Sequence, residues 1–244
     1  MQGSLLFELL QSFGKTLHVP RCGHTMEGVF VQWGPEPDDF GPSSQPVAFL
    51  DRDGVLNLGK EGYVNGPDEV ELLKGAGLVV GALKEAGYLV CVVTNQSPIQ
   101  RGLWGPERLG DIHHELQRQL LGEHSKAAID LFLACPHRFK DGCACRKPSP
   151  GMLRLGHQML REEIPTERQE GPFERRIESP VVDWWGKKPS SPHPLDLMVG
   201  DRRSDMGAGW AFGCRLFRVN ASIGLTQVQL QWLNDETSGD SFQP

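Results

Sequence analysis

Short apolar runs alternate along the chain with stretches in which apolar positions recur every three to four residues, and this alternation predicts an architecture. Val47-Ala48-Phe49-Leu50 is apolar without interruption, as expected of a strand covered on both faces of a parallel sheet. Helical spacing runs from Gly75 to Glu85, Gly87 ends it, and Tyr88 to Val93 reads as a second buried strand, so the unit is a parallel crossover. Pro106 opens a helix reaching about Leu121, Ile129 to Ala134 is a third strand, and Pro150 to Arg161 is a third helix. Leu195 to Val199, Asp205 to Phe212 and Arg215 to Val219 add a strand, a short helix and a fifth strand. The expectation is an α/β domain over 47–219 built on a doubly wound parallel sheet, with its ligand beyond the C-terminal ends of the strands.

Three regions stand outside that rhythm. Gly34-Pro35-Glu36-Pro37 and Gly41-Pro42-Ser43-Ser44 make residues 1–46 look like an N-terminal extension with little backbone order. Between 162 and 194, six prolines, alternating charges and Trp184-Trp185 show no sustained period, which predicts a mobile surface insertion. Residues 220–244 read as a tail. No internal repeat and no heptad run long enough for a coiled coil is present.

Composition narrows the function classes. The 244 residues, 39% hydrophobic and 23% charged, suit one soluble domain, expected to be a monomer. With 31 acids against 25 Lys and Arg, the formal charge of −6 has the wrong sign for binding nucleic acid or an acidic membrane mainly through counterion release, though a local basic pocket for a small anion fits. No run approaches the roughly 18 apolar residues of a membrane span. The apolar segment Leu5 to Leu10 contains Glu8 and has no Lys or Arg before it, unlike a secretory signal. A cytoplasmic, reducing location is expected.

Chemistry gathers at the ends of the predicted strands. Asp51-Arg52-Asp53-Gly54-Val55 follows the first, so one carboxylate can face a metal and a reacting centre as nucleophile while the other acts as acid and base; a solvated Asp-Arg-Asp turn is the plain alternative. Thr94-Asn95-Gln96-Ser97 follows the second strand and offers a hydroxyl and backbone N–H groups to phosphoryl oxygens. Arg146-Lys147-Pro148 precedes the third helix, where the Lys147 ammonium can neutralise both a phosphate and the carboxylate pair. Gly200-Asp201-Arg202-Arg203-Ser204-Asp205 follows the fourth strand, with carboxylates that complete an oxygen site for Mg²⁺ or cap a helix. Cys135, His137, Cys143 and Cys145 place four soft ligands within eleven positions, a pattern suited to tetrahedral structural Zn²⁺. Free thiols are the rival reading; Cys22-Gly23-His24 repeats the spacing without a second pair. Cys91 and Cys214 read as core residues, and His113 and His114 as exposed on a polar helix.

These four motifs, in this order and at these places, resemble those of the haloacid dehalogenase (HAD) superfamily. The finer text is similar to the branch that holds the phosphatases of D-glycero-D-manno-heptose 1,7-bisphosphate and of histidinol phosphate: Asp51 to Asn57, Gly62-Tyr63-Val64, Thr94 to Ser97, Arg101-Gly102, Cys135-Pro136-His137 and Cys143 to Met152. The resemblance implies a Rossmann-like domain without a large cap and with a zinc-binding loop. It implies phosphomonoester hydrolysis through an aspartyl-phosphate on Asp51, with Asp53 as acid and base. Mg²⁺ would be held by Asp51, the Asp53 carbonyl and Asp201, with Asp205 in support and Lys147 neutralising charge. Thr94 and Asn95 would hold the transferring phosphoryl group, and Arg101 and Arg146 would be candidates for a second phosphate. The expected substrate is a small sugar phosphate or bisphosphate. Histidinol phosphate, a nucleic-acid 3′ end, and an inactive zinc-stapled binding protein are the alternatives. Pro98 stands where the branch usually has glycine.

Overall fold

The computed structural model describes residues 28–35, 44–162, 171–173 and 187–228. Among the described residues seven strands form one sheet: β1 (Val29–Trp33), β2 (Val47–Leu50), β3 (Leu89–Asn95), β4 (Leu131–Cys135), β5 (Gly171–Phe173), β6 (Leu197–Gly200) and β7 (Arg215–Arg218). Their order is β5-β1-β4-β3-β2-β6-β7. The five strands from β4 to β7 run parallel, β1 lies antiparallel to β4, and β5 at the edge lies antiparallel to β1. Chain order reverses between β2 and β6, so the crevice for a ligand lies at the C-terminal ends of these neighbours.

Two layers of helices cover the sheet, and strand alternation assigns each side chain to one of them. Ala48, Leu50, Val90, Val92 and Phe132 share a core with α1 (Ala76–Glu85) and α2 (Pro106–Glu123). Val47, Phe49, Cys91, Val93 and Leu133 share another with α3 (Gly151–His157) and α4 (Arg203–Phe212). Cys91 and Cys214 are buried in the interior as expected. No cap domain intervenes between β2 and β3, or between β3 and Lys147. Among the described residues no helix is long and apolar enough to cross a membrane.

The domain is larger than 47–219. Val29–Trp33, expected within an unordered extension, is a strand whose five residues are all buried. It pairs with β4 from Phe30↔Ala134 to Trp33↔Leu131 and thereby covers an edge that would otherwise expose a ladder of unpaired backbone groups. Gly34 and Pro35 just beyond it mark the end of this strand. Part of the expected insertion, Gly171–Phe173, pairs with β1 in turn. Past Val219, Leu225 and Val228 on a 3₁₀ turn enter the core instead of a tail. His113, expected in solvent, is buried on α2 against β4. Residues 1–27, including Cys22 and His24, and most of 162–194 lie outside the described residues.

Candidate active site

Strand ends supply the site. β2 delivers Asp51, whose N–H donates to the Val199 carbonyl at 2.9 Å and continues the pairing with β6. β3 runs two residues further than the apolar pattern indicated and carries Thr94 and Asn95. Lys147 arrives on the loop between β4 and α3, Asp201 follows β6, and Asp205 lies in the first turn of α4. After Asp53 the chain turns sharply through Gly54, at φ +81°, where a Cβ would meet Asp201 Cγ at 2.9 Å.

Lys147 sits between two carboxylates. Its Nζ lies 2.8 Å from Asp51 Oδ1 and 2.7 Å from Asp205 Oδ1, and donates to the Val93 carbonyl at 2.7 Å. Burial disfavours the ammonium, but Asp205 and Asp51 outweigh it and hold the Lys147 pKa above its ordinary value. Asp51 Oδ1 also accepts the Arg52 N–H at 2.8 Å, and Asp205 Oδ2 caps α4 by accepting the Arg202 N–H at 2.9 Å. Burial, with Asp205 and Asp53 adding to it against Lys147, raises the Asp51 carboxyl to about 6. Asp201 is raised too, by burial and then by Asp51.

Oxygen atoms of Asp51, Asp201 and Asp205 all lie within 4.8 Å of one another. The Lys147 ammonium and the exposed Arg202 guanidinium, 3.7 Å from Asp201 Oδ2, leave three carboxylates short of positive charge. Asp201 Oδ1 is buried without a partner among the described residues. An all-oxygen donor set with a charge deficit and a free buried oxygen fits a hard divalent cation.

Asp53 occupies a different environment. Arg52, with no exposed surface, grips it through Nε at 3.1 Å and Nη2 at 2.9 Å, Asn57 Nδ2 donates at 2.9 Å, and Gln96 Nε2 donates at 3.1 Å. Burial pushes its pKa up, yet Arg52, Asn57 and Gln96 together bring it below the ordinary carboxylate range. Two carboxylates separated by one residue thus differ in proton affinity, in the order opposite to an ionised nucleophile and a protonated acid: with no cation beside Asp51 and no phosphate beside Asp53, the first holds its proton more tightly than the second. Gln96 Nε2 also donates to Thr94 Oγ1 at 2.9 Å, joining the second motif to Asp53.

The remaining expected residues divide. Asn95 binds the Lys147 peptide twice, Nδ2 donating to the carbonyl and Oδ1 accepting the N–H, both at 3.1 Å. Its side chain therefore holds Lys147 in place. Arg146 is half-buried and donates from Nη1 to the His137 carbonyl at 2.7 Å, whereas Arg101 is exposed on the loop after β3. Pro98 is buried at the start of that loop, its carbonyl accepting the Leu103 N–H at 3.0 Å. The roles of Arg52, Asn57 and Gln96 were not legible: they stand inside the motifs, but their residue types carry no reactive signature. The Arg between two aspartates was the available signal for the first of them.

The cysteine cluster also forms. Cys135 Sγ lies 3.4 Å from His137 Nδ1, 3.6 Å from Cys143 Sγ and 3.3 Å from Cys145 Sγ; Cys145 Sγ lies 3.2 Å from His137 Nδ1 and 3.3 Å from Cys143 Sγ. Bonds of about 2.3 Å to a tetrahedral ion would give S···S edges of roughly 3.8 Å, so a small expansion suffices and the donor set fits zinc. A cavity of about 300 Å³ lies beside the acidic cluster, lined by Asp53, Gly54, Lys60, Asp201, Arg202 and Ser222 among others.

No family model matches the chain. It is similar to proteins named D-glycero-β-D-manno-heptose-1,7-bisphosphate 7-phosphatase: that of Bordetella bronchiseptica is 42% identical over 108 residues, covering 44% of this chain and 59% of the relative, and that of Pseudomonas aeruginosa is 41% identical over 46% and 61%. The chain thus spans about three fifths of the length of these relatives. A Mycobacterium tuberculosis protein named for the α anomer of the same compound is 34% identical over 159 residues, 65% of this chain and 68% of the relative. The crystal structure of the D,D-heptose 1,7-bisphosphate phosphatase of B. bronchiseptica with magnesium and phosphate superposes with a TM-score of 0.54 at 29% identity, covering 76% of this chain and 85% of that one. A HAD-like phosphatase structure from Mesorhizobium loti, at 24% identity and TM-score 0.59, shares the fold.

Proposed function

Because the chain belongs to the haloacid dehalogenase superfamily, in the branch of the heptose bisphosphate phosphatases, we propose that it hydrolyses a phosphomonoester of a small sugar phosphate, with a heptose 1,7-bisphosphate as the expected substrate. The observation that carries this reading is the placement of Lys147 Nζ within 2.8 Å of Asp51 and 2.7 Å of Asp205, inside the cluster that Asp201 completes. A buried carboxylate with a fixed cation on one oxygen and a free oxygen beside it suits an anionic nucleophile facing an anionic phosphate.

In this reading Asp51 Oδ1 stays on Lys147 and the Arg52 N–H, and Oδ2 attacks phosphorus. The new bond forms as the ester P–O bond breaks, and a proton that Asp53 takes up as the anionic ester binds beside it goes to the departing alkoxide. Water then attacks the aspartyl-phosphate, Asp53 takes its proton, and inorganic phosphate leaves with Asp51 restored. Asp51 and Asp201 would hold Mg²⁺ with the Asp53 carbonyl, and Asp205 would keep Lys147 and the entry to α4 in place. The ion's chemistry is to offset charge on the phosphate and the carboxylates. The magnesium and phosphate captured in the Bordetella relative support this assignment.

Cys135, His137, Cys143 and Cys145 would hold structural zinc, which stiffens the loop leading to Arg146 and Lys147. Arg146 and Arg101 would be the guanidinium groups offered to a second, non-reacting phosphate. Thr94, buried beside Gln96, would hold the transferring phosphoryl group.

A phosphate-release panel containing both anomers of the heptose bisphosphate, histidinol phosphate and a 3′-phosphorylated oligonucleotide tests the reading. Release from the sugar bisphosphate, lost on removal of Mg²⁺ and in Asp51→Asn, is expected. Preferential release from the oligonucleotide would replace the substrate assignment, and release from none would return the chain to a binding role.

A further inference from the structure

Two segments of chain leave Asp53 from its two amide donors and meet again further on. Asn57 donates to Asp53 Oδ1 at 2.9 Å, and Gln96 donates to Oδ2 at 3.1 Å. The chain beyond Asn57 passes over Asp53: a Cβ on Gly59 would lie 3.9 Å from Asp53 Cβ, and Leu58, Gly59 and Lys60 line the cavity that Asp53 and Asp201 share. The chain beyond Gln96 carries Arg101 and reaches Trp104 just before α2, where the half-buried indole packs against the core. There Trp104 Nε1 donates to Asn65 Oδ1 at 3.2 Å, and the circuit closes.

Asn65 serves both sides of that junction. Its Nδ2 donates to the Tyr63 carbonyl at 3.1 Å, and its backbone N–H donates to Glu69 Oε2 at 2.8 Å. An indole N–H only donates and a carbonyl only accepts, so one orientation of the amide satisfies both neighbours. Tyr63 needs the support. At φ 81° it is the one non-glycine residue in the left-handed region among the described residues, a conformation that an aromatic side chain disfavours. The Tyr63 N–H donates in turn to the Lys60 carbonyl at 3.3 Å, so the strained turn is continuous with the cavity wall.

We propose that Asn65 and Trp104 are positioning residues: their hydrogen bond clasps the wall formed by residues 58–63 to the body of the domain, and so sets how tightly the sugar of the substrate is held. The kinetic consequence rests on the proposed role of Asp53; the clasp itself does not. An acid that protonates the departing oxygen has the sugar beside it, and the wall lying against Asp53 is then what the sugar meets. The hydrogen bonds on Asp51 and Lys147 involve neither Asn65 nor Trp104, so binding responds to the clasp and the chemical step does not. A released wall must close again on each substrate, which weakens apparent affinity by the fraction of time it stands closed. Loss of one hydrogen bond of ordinary net strength corresponds to about three- to tenfold.

Two measurements separate the clasp from its role. In the full-length protein labelled with ¹⁵N, the indole resonance missing from Trp104→Phe identifies its Nε1–H, and Asn65→Ala is expected to speed hydrogen exchange there at least tenfold. Unchanged exchange overturns the clasp whatever the protein hydrolyses. In kinetics, Trp104→Phe keeps an aromatic ring and removes the donor. It is expected to raise KM for the heptose bisphosphate about three- to tenfold with kcat within a factor of two, and to change kcat/KM for acetyl phosphate, which has no sugar, by less than twofold. Asn65→Ala, which also releases Tyr63, should raise KM at least as far, and adding Trp104→Phe to it should cost less than twofold more. Wild-type KM in folded Trp104→Phe protein, an equal loss with acetyl phosphate, or a fall in kcat alone would overturn the positioning role and leave the phosphatase reading intact. If the wild type hydrolyses no sugar phosphate, the role falls with that reading, and the exchange measurement still decides the clasp.

Discussion

Asp51→Asn is expected to abolish turnover and, with magnesium withheld, to make the folded protein more stable above pH 6. Burial of the Asp51 side chain is the chief cause, lifting its carboxyl from 3.8 to about 6 with Asp205 and Asp53 adding and Lys147 opposing. A rise of roughly two units corresponds to about 3 kcal/mol. The folded protein holds that proton more tightly than the unfolded chain does. The contribution is therefore fully present below about pH 4 and is lost as pH rises through about 6. Asn has no proton to lose, so the variant lacks this loss. Its weaker bond to the Lys147 ammonium offsets part of the difference, leaving a gain of about 1–2 kcal/mol at pH 7.5, or roughly 3–6 °C in Tm for a domain of this size. Calorimetry between pH 4.5 and 8, without added divalent cations and without chelators that would strip the cysteine cluster, measures it. Magnesium should then narrow the gap by stabilising the wild type alone. A wild-type-to-variant difference that does not change with pH, or a variant less stable at pH 7.5, would refute the reasoning.

Other outcomes follow from particular contacts. Asp53→Asn should lower kcat by about 10²–10⁴ while leaving the fold unchanged by circular dichroism. Asn95→Ala removes both hydrogen bonds to the Lys147 peptide and should cost about 1–3 kcal/mol in denaturant unfolding, with a fall in kcat at near-constant KM. Gly54→Ala places a Cβ 2.9 Å from Asp201 Cγ at φ +81°, so half-maximal activity should need at least about tenfold more magnesium, read from a metal titration. Cys145→Ser should abolish the one zinc per chain expected by elemental analysis and lower Tm by roughly 5–10 °C.

The parallel core was legible because each strand buried on both faces leaves an uninterrupted apolar run, and because the reactive side chains stand at the ends of those runs. Asp51, Asp53, Lys147, Asp201 and Asp205 were readable for that reason, and the cysteine cluster from ligand spacing alone. What escaped was decided by long-range packing. Val29–Trp33 is only a strand because β4 offers it an open edge, and nothing nearby in sequence signals that partner. His113 on a helix of polar composition is buried because β1 and Phe132 close over it. That the Asn95 amide grips the backbone of Lys147, 52 positions away, is likewise set by the fold. Arg52 lay in plain view between two aspartates, yet only the fold shows that its charge is spent on one of them and not on solvent.

The most direct test of the central claim is to follow labelled phosphate on the protein itself. Wild-type protein mixed with substrate carrying ³²P at the reacting position and quenched in acid within milliseconds should retain label as a hydroxylamine-labile acyl phosphate. Peptide mapping should place it on Asp51, and Asp51→Asn should retain none. Label on a different residue, or turnover that continues in Asp51→Asn, would contradict the account.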